Sequence, residues 1–424
     1  MLATAELIQE AALPDRLQEL LPRWLREVPL YRALAEAAET SVEVAMQRLP
    51  LIAKADIRRD FPRNFLRVGD TLDALLDQEL VELEHTSGTS EQRTPLLLGF
   101  GWWAEQEARA LRLNSLAASV LDESPGPRRL TISSPVCSGD ISYTGVPSCA
   151  NRTVGNTLFS SLSRFPFLWG ESDLARIAAE AIDWKPRFLD VDPVYGVVFA
   201  RYCERNGIRL PSLKFIICSY EFVSVNHRRI LERAFGVPVF NLYGSTETGH
   251  LLMETESGEM RPSLETAYLQ VLNVDARGVG ELSVTTLTND FMPLLRYRIG
   301  DLVERFEQPY ATNYRVHGRA ADSFLLPSGE RVTTWQIDQC FAQNPGVAHY
   351  QLHQREAGEW RLRYVPDQTG PDSLDIAELQ SRLTRLLEVD AQHTIESTDL
   401  LMPESSGKFR LGYPLKKSPG SRHH

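Results

Sequence analysis

The sequence predicts an α/β protein with a large N-terminal part, residues 1–318, and a small α+β C-terminal part, residues 319–424. Three observations carry this expectation. Short apolar runs at 130–133, 188–191, 215–218 and 237–242 alternate with amphipathic stretches at 173–182, 195–205 and 226–235, the pattern of βαβ units around a largely parallel sheet. From 265 to 305 the helical stretches give out, and 267–274, 280–286 and 301–306 read as strands joined by turns such as Asp275-Ala276-Arg277-Gly278. Beyond Gly318-Arg319 come strand-like runs at 347–353 and 359–364, then an amphipathic helix at 375–387.

The first 80 residues read as helical, with Leu17, Leu20, Leu21 and Leu25 at helical spacing and the pattern continuing over 30–46. Residues 49–57 look like a loop feeding a short helix. At 424 residues and 43% hydrophobic content the chain can build two or three domains. There is no internal repeat and no low-complexity segment.

The net charge of −11 argues against a general nucleic-acid or membrane-surface binder. No apolar run approaches the roughly 20 residues that span a bilayer, and no basic start followed by an apolar core marks a leader. Cys137, Cys149, Cys203, Cys218 and Cys340 are scattered without paired spacing, which suggests reduced thiols in a cytoplasmic protein.

Three short motifs carry chemistry. His85-Thr86-Ser87-Gly88-Thr89-Ser90 clusters hydroxyls beside a glycine, a donor set suited to the oxygens of a triphosphate. It is not a Walker loop, because no Gly-Lys-Ser/Thr follows, and a polar surface turn is the alternative. Tyr243-Gly244-Ser245-Thr246-Glu247 offers an aromatic ring for a purine, a glycine for close approach and a carboxylate for a hard cation. A turn with a helix N-cap at Ser245 or Thr246 is the alternative. Gly407-Lys408 puts an ammonium on a polar loop near the C-terminus, and a solvated surface charge is the bland reading.

In this order the motifs resemble those of the adenylate-forming superfamily of acyl-CoA synthetases, adenylation domains and luciferases, and within it the phenylacetate–CoA ligase branch. Leu49-Pro50-Leu51-Ile52-Ala53-Lys54-Ala55-Asp56-Ile57-Arg58, Thr285-Thr286-Leu287-Thr288, Pro293 to Asp301, Gly318-Arg319 and Trp335-Gln336-Ile337-Asp338 are similar to successive segments of that branch. The resemblance runs from about residue 49 to 410. It implies that residues 1–318 form the adenylate-forming domain, mostly helical over 1–80 with the nucleotide- and acyl-binding core over 81–318. Residues 319–424 are then a small mobile lid.

The resemblance also implies the roles. Thr86, Ser87, Gly88, Thr89 and Ser90 hold phosphate; Ser219, Tyr220 and Glu221 border the adenine; Tyr243, Gly244 and Ser245 carry the nucleotide, with Tyr243 on the ring. Thr246 contacts the α-phosphate, Glu247 coordinates Mg²⁺, Asp301 clamps the ribose and Arg319 supports the ribose-phosphate region. Lys408 is the adenylation lysine. Tyr143, Tyr220 and Gly244 line the acyl pocket, which suits a flat or aromatic acid; ordinary core tyrosines are the alternative. Residues 250–263 hold one histidine and no cysteine, so no zinc is expected there.

The implied reaction is ATP-dependent activation of a carboxylic acid, aryl or arylacetic, to an acyl-adenylate with loss of pyrophosphate, then transfer to a thiol, most readily coenzyme A. Three departures bear on it. The second glycine of the phosphate loop is replaced in Ser90-Glu91-Gln92-Arg93-Thr94-Pro95, with Arg93 available to offset Glu91. The hinge reads Gly318-Arg319-Ala320-Ala321-Asp322, with alanine where the family has its first aspartate. The following loop lacks the usual basic residue before Gly329. Transfer to a carrier-protein thiol or an amine, and a degenerate adenylate-binding regulator, therefore stay open, as does a homodimer.

Overall fold

The computed structural model describes residues 8–10, 13–33, 41–86, 93–135, 148–161, 163–308, 311–356, 359–370, 373–388, 393–405 and 407–415. In chain order the elements are β1 (Ile8–Glu10), α1 (Asp15–Glu27), α2 (Pro29–Arg32), α3 (Val42–Arg48), α4 (Lys54–Arg58), α5 (Leu72–Asp77), β2 (Val81–His85), β3 (Pro95–Gly99), α6 (Trp102–Leu111) and α7 (Ser115–Leu121). There follow β4 (Arg129–Ile132), β5 (Thr153–Val154), β6 (Thr157–Phe159), α8 (Glu171–Trp184), β7 (Phe188–Val191), α9 (Pro193–Arg205), β8 (Phe215–Cys218), α10 (Val225–Phe235) and β9 (Val239–Ser245). Next come β10 (Gly249–Glu254), β11 (Met260–Pro262), β12 (Ala267–Leu272), β13 (Val279–Thr286), β14 (Tyr297–Gln308) and β15 (Ala311–Arg319). The chain ends with β16 (Phe324–Leu325), β17 (Arg331–Val332), α11 (Thr334–Gln339), β18 (Val347–Glu356), β19 (Glu359–Pro366), α12 (Ile376–Leu387), β20 (His393–Ser397) and β21 (Gly412–Tyr413).

The chain forms two compact units, Met1–Leu121 with Leu242–Val316, and Asp122–Asn241 with His317–His424. In the first, α1 buries the stripe Leu17, Leu21, Trp24 and Leu25, with Asp15 in its first turn and Arg26 in its last to suit the helix dipole. That stripe packs into a core with Tyr268, Leu282, Val284 and Leu295. Strands β12, β13 and β14 pair antiparallel, Tyr268 opposite Thr285 and Val284 opposite Tyr297. The segment ahead of α4 is laced to β14. The Ile52 N–H donates to the Arg296 carbonyl at 3.2 Å and the Arg298 N–H to the Ile52 carbonyl at 2.9 Å, while Arg296 Nη1 reaches the Leu49 carbonyl at 2.6 Å.

In the second unit β8, β7, β4 and β6 run parallel, Ile216 beside Leu189, Leu189 beside Leu130 and Leu130 beside Leu158. Helices α8, α9 and α10 share one core with these strands, built on Leu174, Ile177, Val197, Phe199 and Leu231. Gly196 in α9 is needed for that packing, since a Cβ there would lie 2.8 Å from Val191. The C-terminal sheet has the order β20-β19-β18-β21 and buries Tyr350, Leu352, Trp360 and Leu362 against α12.

Within this unit the C-terminal sheet is fastened to α10. His227 and His349 stack with centroids 5.3 Å apart and a 3.1 Å contact between Nε2 and Nδ1. The Asp338 carboxyl accepts the Val225 N–H at 2.9 Å and the Tyr350 hydroxyl at 3.2 Å. Arg233 bridges Glu204 (2.7 Å) and Asp367 (2.9 Å).

Two element boundaries differ from the sequence expectation. β9 runs on to Ser245, and β10 begins at Gly249 with Gly249 opposite Ser245. Tyr243-Gly244-Ser245-Thr246-Glu247 therefore rounds a β-hairpin, and no helix starts at Ser245 or Thr246. β14 begins at Tyr297 rather than 301, because pairing with β13 overrides the polar Arg296 and Arg298 that mask its alternation.

Candidate active site

In the first unit the hairpin turn carries Glu247. Gly244 is demanded by the hairpin itself, since a Cβ there would sit 2.1 Å from the Gly249 carbonyl oxygen. The turn is tied by Ser245 Oγ and Thr248 Oγ1 at 3.0 Å, and Thr246 lies half-buried on it. Glu247 is buried yet ionised. Burial alone would raise its pKa, but Lys54 Nζ stands 3.0 Å from Oε1 and the Tyr297 hydroxyl donates to the same oxygen at 2.9 Å. The net result is a carboxyl held below its usual range, by Lys54 first and the Ser245 hydroxyl after it. Beside it the Tyr243 hydroxyl donates to Asp301 Oδ2 at 2.7 Å, with Asp301 buried in β14.

Thr86 closes the base of the β2–β3 hairpin, its hydroxyl accepting the Thr94 N–H and its own N–H donating to the Thr94 carbonyl, both at 3.0 Å. Ser87, Gly88, Thr89 and Ser90 lie outside the described residues, as does Tyr143.

In the second unit the C-terminal ends of the parallel strands deliver Ser133, Ser161, Asp192 and Ser219, the edge where ligands bind in open α/β sheets. Ser219 Oγ and the Tyr220 hydroxyl both donate to Asp190, at 2.9 and 3.0 Å, and Asp190 is also paired with Arg129. Tyr220 takes a left-handed backbone (φ 73°), which turns its carbonyl to the loop that carries Lys408.

That loop is a tight turn. The Glu404 N–H donates to the Lys408 carbonyl at 2.8 Å and the Gly407 N–H to the Glu404 carbonyl at 2.9 Å. Gly407 (φ 86°) leaves no room for a side chain, since a Cβ would lie 2.3 Å from Ser134 Oγ. Phe409 is wedged among Phe167, Tyr195 and His349, with centroids 5.3 to 6.4 Å away. Lys408 is thereby turned inward, and its Nζ donates to the Tyr220 carbonyl at 3.1 Å. The Phe409 N–H donates to Glu221 Oε1. Gly318 (φ 93°) packs its Cα against Thr334, and Asp322 of the hinge pairs with Arg410 at 2.6 Å, while Arg319 is exposed.

No family model matches the chain. Curated relatives do. A phenylacetate–coenzyme A ligase of Thermus thermophilus is 25% identical over 374 residues, covering 81% of this chain and 78% of that protein. The phenylacetate–coenzyme A ligase of Escherichia coli K12 is 24% identical over 453 residues, covering 97% and 96%. The chain is thus similar, over most of its length, to phenylacetate–coenzyme A ligases. Among solved structures, 2-hydroxyisobutyryl-CoA ligase in its postadenylation state with an acyl-AMP superposes with a TM-score of 0.66 at 19% identity, covering 95% of this chain and 88% of that one. The fold is therefore that of the adenylate-forming CoA ligases.

The donor set on the hairpin fits a magnesium ion. Glu247 is an ionised buried carboxylate on a rigid turn, and one carboxylate plus substrate phosphates is a donor set that Mg²⁺ takes. Two residues escaped the sequence reading. Lys54 stood in a matched segment but carried no role, because its partner Glu247 is far away in the chain. Asp192 looks in sequence like an ordinary cap before Pro193, and it does accept the Val194 N–H at 3.0 Å. Its neighbourhood to Glu221 and Lys408 has no sequence signal.

Proposed function

We propose that the chain activates a carboxylic acid with ATP, releasing pyrophosphate and forming an acyl-adenylate, and then passes the acyl group to coenzyme A. The single observation that carries this reading is the inward-turned Lys408, delivered by a shaped loop to the C-terminal ends of the parallel strands. Attack of a carboxylate on the α-phosphorus concentrates negative charge on the bridging and departing oxygens, and an ammonium there stabilises it by about 3–4 kcal/mol. Tyr243 packs on the adenine, and Asp301 accepts from the ribose hydroxyls. Arg319, Ser219, Tyr220 and Glu221 border the nucleotide, and Thr246 meets the α-phosphate. A magnesium ion held by Glu247 neutralises phosphate charge. Lys54 keeps Glu247 ionised and ready for it. The substrate is an aryl or arylacetic acid, in keeping with the relatives' names, and the setting is cytoplasmic. Among the described residues no helix is long and apolar enough to cross a membrane.

A second reading hands the acyl group to a carrier-protein thiol or an amine. It is favoured by Ala320 in the hinge and by the missing basic residue before Gly329. Pyrophosphate exchange into ATP across a panel of acids tests the first half-reaction, and thioester formation with added coenzyme A separates the two acceptors. Tight ATP binding with no exchange for any acid would instead point to a regulator.

A further inference from the structure

The lysine loop docks beside two carboxyl groups: Asp192, to which the reaction as written gives no role, and Glu221, given none beyond bordering the nucleotide. Asp192 is the N-cap of α9, a helix of 13 residues, and its Oδ1 accepts the Val194 N–H at 3.0 Å. Glu221 follows β8, and its Oε1 accepts the N–H of Phe409, the residue after Lys408. The two carboxyls hydrogen-bond one another, and both lie within electrostatic reach of Lys408.

A hydrogen bond between two carboxyl groups requires a proton on one of them, since two carboxylates offer only acceptors. Burial pushes the Asp192 carboxyl up to about 7, against the Val194 N–H at the helix N-terminus and Lys408, which favour its anion. Burial and the neighbouring Asp192 push the Glu221 carboxyl well above the usual range, so the proton rests there. The pair then carries one negative charge against the single positive charge of Lys408. Charge balance is reached without ligand, and the ammonium is held in the orientation set by the Tyr220 carbonyl.

We propose that Asp192 and Glu221 share one proton and together hold Lys408, which makes them positioning residues for the adenylation step. The role in adenylation rests on the function proposed above, whereas the shared proton and the grip on the lysine do not. An amide in place of one member preserves the arrangement, because its NH₂ donates as the acid hydroxyl does and the remaining carboxylate keeps the charge. Amides at both positions remove the charge. The pair thus predicts tolerance of each single change and intolerance of both.

The test is competitive acetylation of the full-length chain by acetic anhydride without substrates, with Lys408 reactivity read by peptide mass spectrometry against Lys185 and Lys214. Asp192→Asn and Glu221→Gln should each leave Lys408 within about twofold of the parent chain, whereas the double variant should raise its reactivity about tenfold or more, one pKa unit being a factor of ten. A single variant as reactive as the double, or a double variant indistinguishable from the parent, overturns the proposal. Infrared difference spectra of the parent chain against Glu221→Gln give a readout that does not depend on the double variant folding. Loss of a protonated-carboxyl band supports the shared proton, and its absence from the parent chain contradicts it. In pyrophosphate exchange the double variant should lose about tenfold or more in kcat with an unchanged KM for ATP. Exchange absent from the parent chain as well would defeat the proposed function while leaving the labelling result standing.

Discussion

The two clusters of buried acid groups in this molecule solve the same problem in opposite ways. In the first unit Glu247 is kept charged, with Lys54 at 3.0 Å holding its carboxyl below the usual range against burial, helped by its own backbone N–H and the Ser245 hydroxyl. In the second unit burial wins. Glu221 is pushed up beside Asp192, Asp338 is pushed up to about 7, and His227 is pushed down to about 3, so these groups favour their neutral forms. The difference follows from how close the cation comes: Lys54 touches Glu247, whereas at Glu221 burial and the neighbouring Asp192 outweigh Lys408, and Asp338 takes its hydrogen bonds from the Val225 N–H and the Tyr350 hydroxyl. Glu247 is kept ionised for a cation, whereas Glu221, Asp338 and His227, which fasten a loop and a sheet, are held towards their neutral forms.

Variants can break this contrast, and the largest effect is expected at Lys408. Lys408→Ala should lower adenylation two to three orders of magnitude, about 3–4 kcal/mol, with ATP binding nearly intact; exchange retained at the parent rate would remove its assigned role. Glu247→Gln comes next. It deletes the carboxylate proposed to hold magnesium and should cost roughly a hundredfold in exchange, with a raised magnesium requirement; a magnesium titration unchanged by the substitution would count against the assignment.

Lys54→Met sharpens the comparison, because it turns the first cluster into something like the second. With its cation gone, burial governs Glu247 and its pKa rises, so the acidic limb of the exchange profile should move to higher pH. A shift of one unit is a loss of about tenfold on that limb and little at alkaline pH. A limb that stays in place would mean that Tyr297 and Ser245 suffice to hold the charge.

The buried histidines give a stability test. Both rings are pushed below their ordinary pKa of 6.5 by burial, His227 to about 3. Unfolded histidine binds a proton below 6.5 while the folded rings do not, so stability present above pH 6.5 is lost as pH falls towards 3. Asp338, raised to about 7, acts in the opposite sense over the upper part of that range. Replacing both rings by apolar side chains, His227→Leu with His349→Phe, leaves the Asp338 contribution in place. The stability of the parent chain relative to this variant should therefore fall on acidification, by about 0.7 kcal/mol for each ring from pH 7 to 6 and about 1.2 kcal/mol from pH 6 to 5, as read from urea unfolding at pH 7, 6 and 5. Parallel pH profiles for the two chains would show that the pair is not held neutral. The smallest effect is expected for Tyr297→Phe, about 1 kcal/mol or fivefold in exchange.

Much of this was legible in the sequence because it rests on local pattern. The strands at 188–191 and 215–218 are bounded as their apolar runs indicate, and α9 and α10 follow their amphipathic stripes. Lys408 stands out in the sequence because glycine precedes it in a recognisable motif, and the structure turns it inward to the Tyr220 carbonyl. The hairpin at Gly244 was not, since the demand for glycine comes from Gly249 across the turn. Nor were Lys54 with Glu247, Asp192 with Glu221, or His227 with His349, pairs made by the fold from residues that carry no mutual signal along the chain. Nor was the second partner of Thr86, whose hydroxyl accepts a hydrogen bond from Thr94 at the base of its own hairpin and keeps its proton to donate.

The central claim is that a carboxylate oxygen of the substrate attacks the α-phosphorus of ATP. Turnover of an accepted acid carrying ¹⁸O in its carboxylate, with coenzyme A as acceptor and mass spectrometry of the nucleotide product, tests it most directly. The account predicts AMP bearing one ¹⁸O and unlabelled pyrophosphate. Label in inorganic phosphate with ADP as the nucleotide, or AMP free of label, would contradict it.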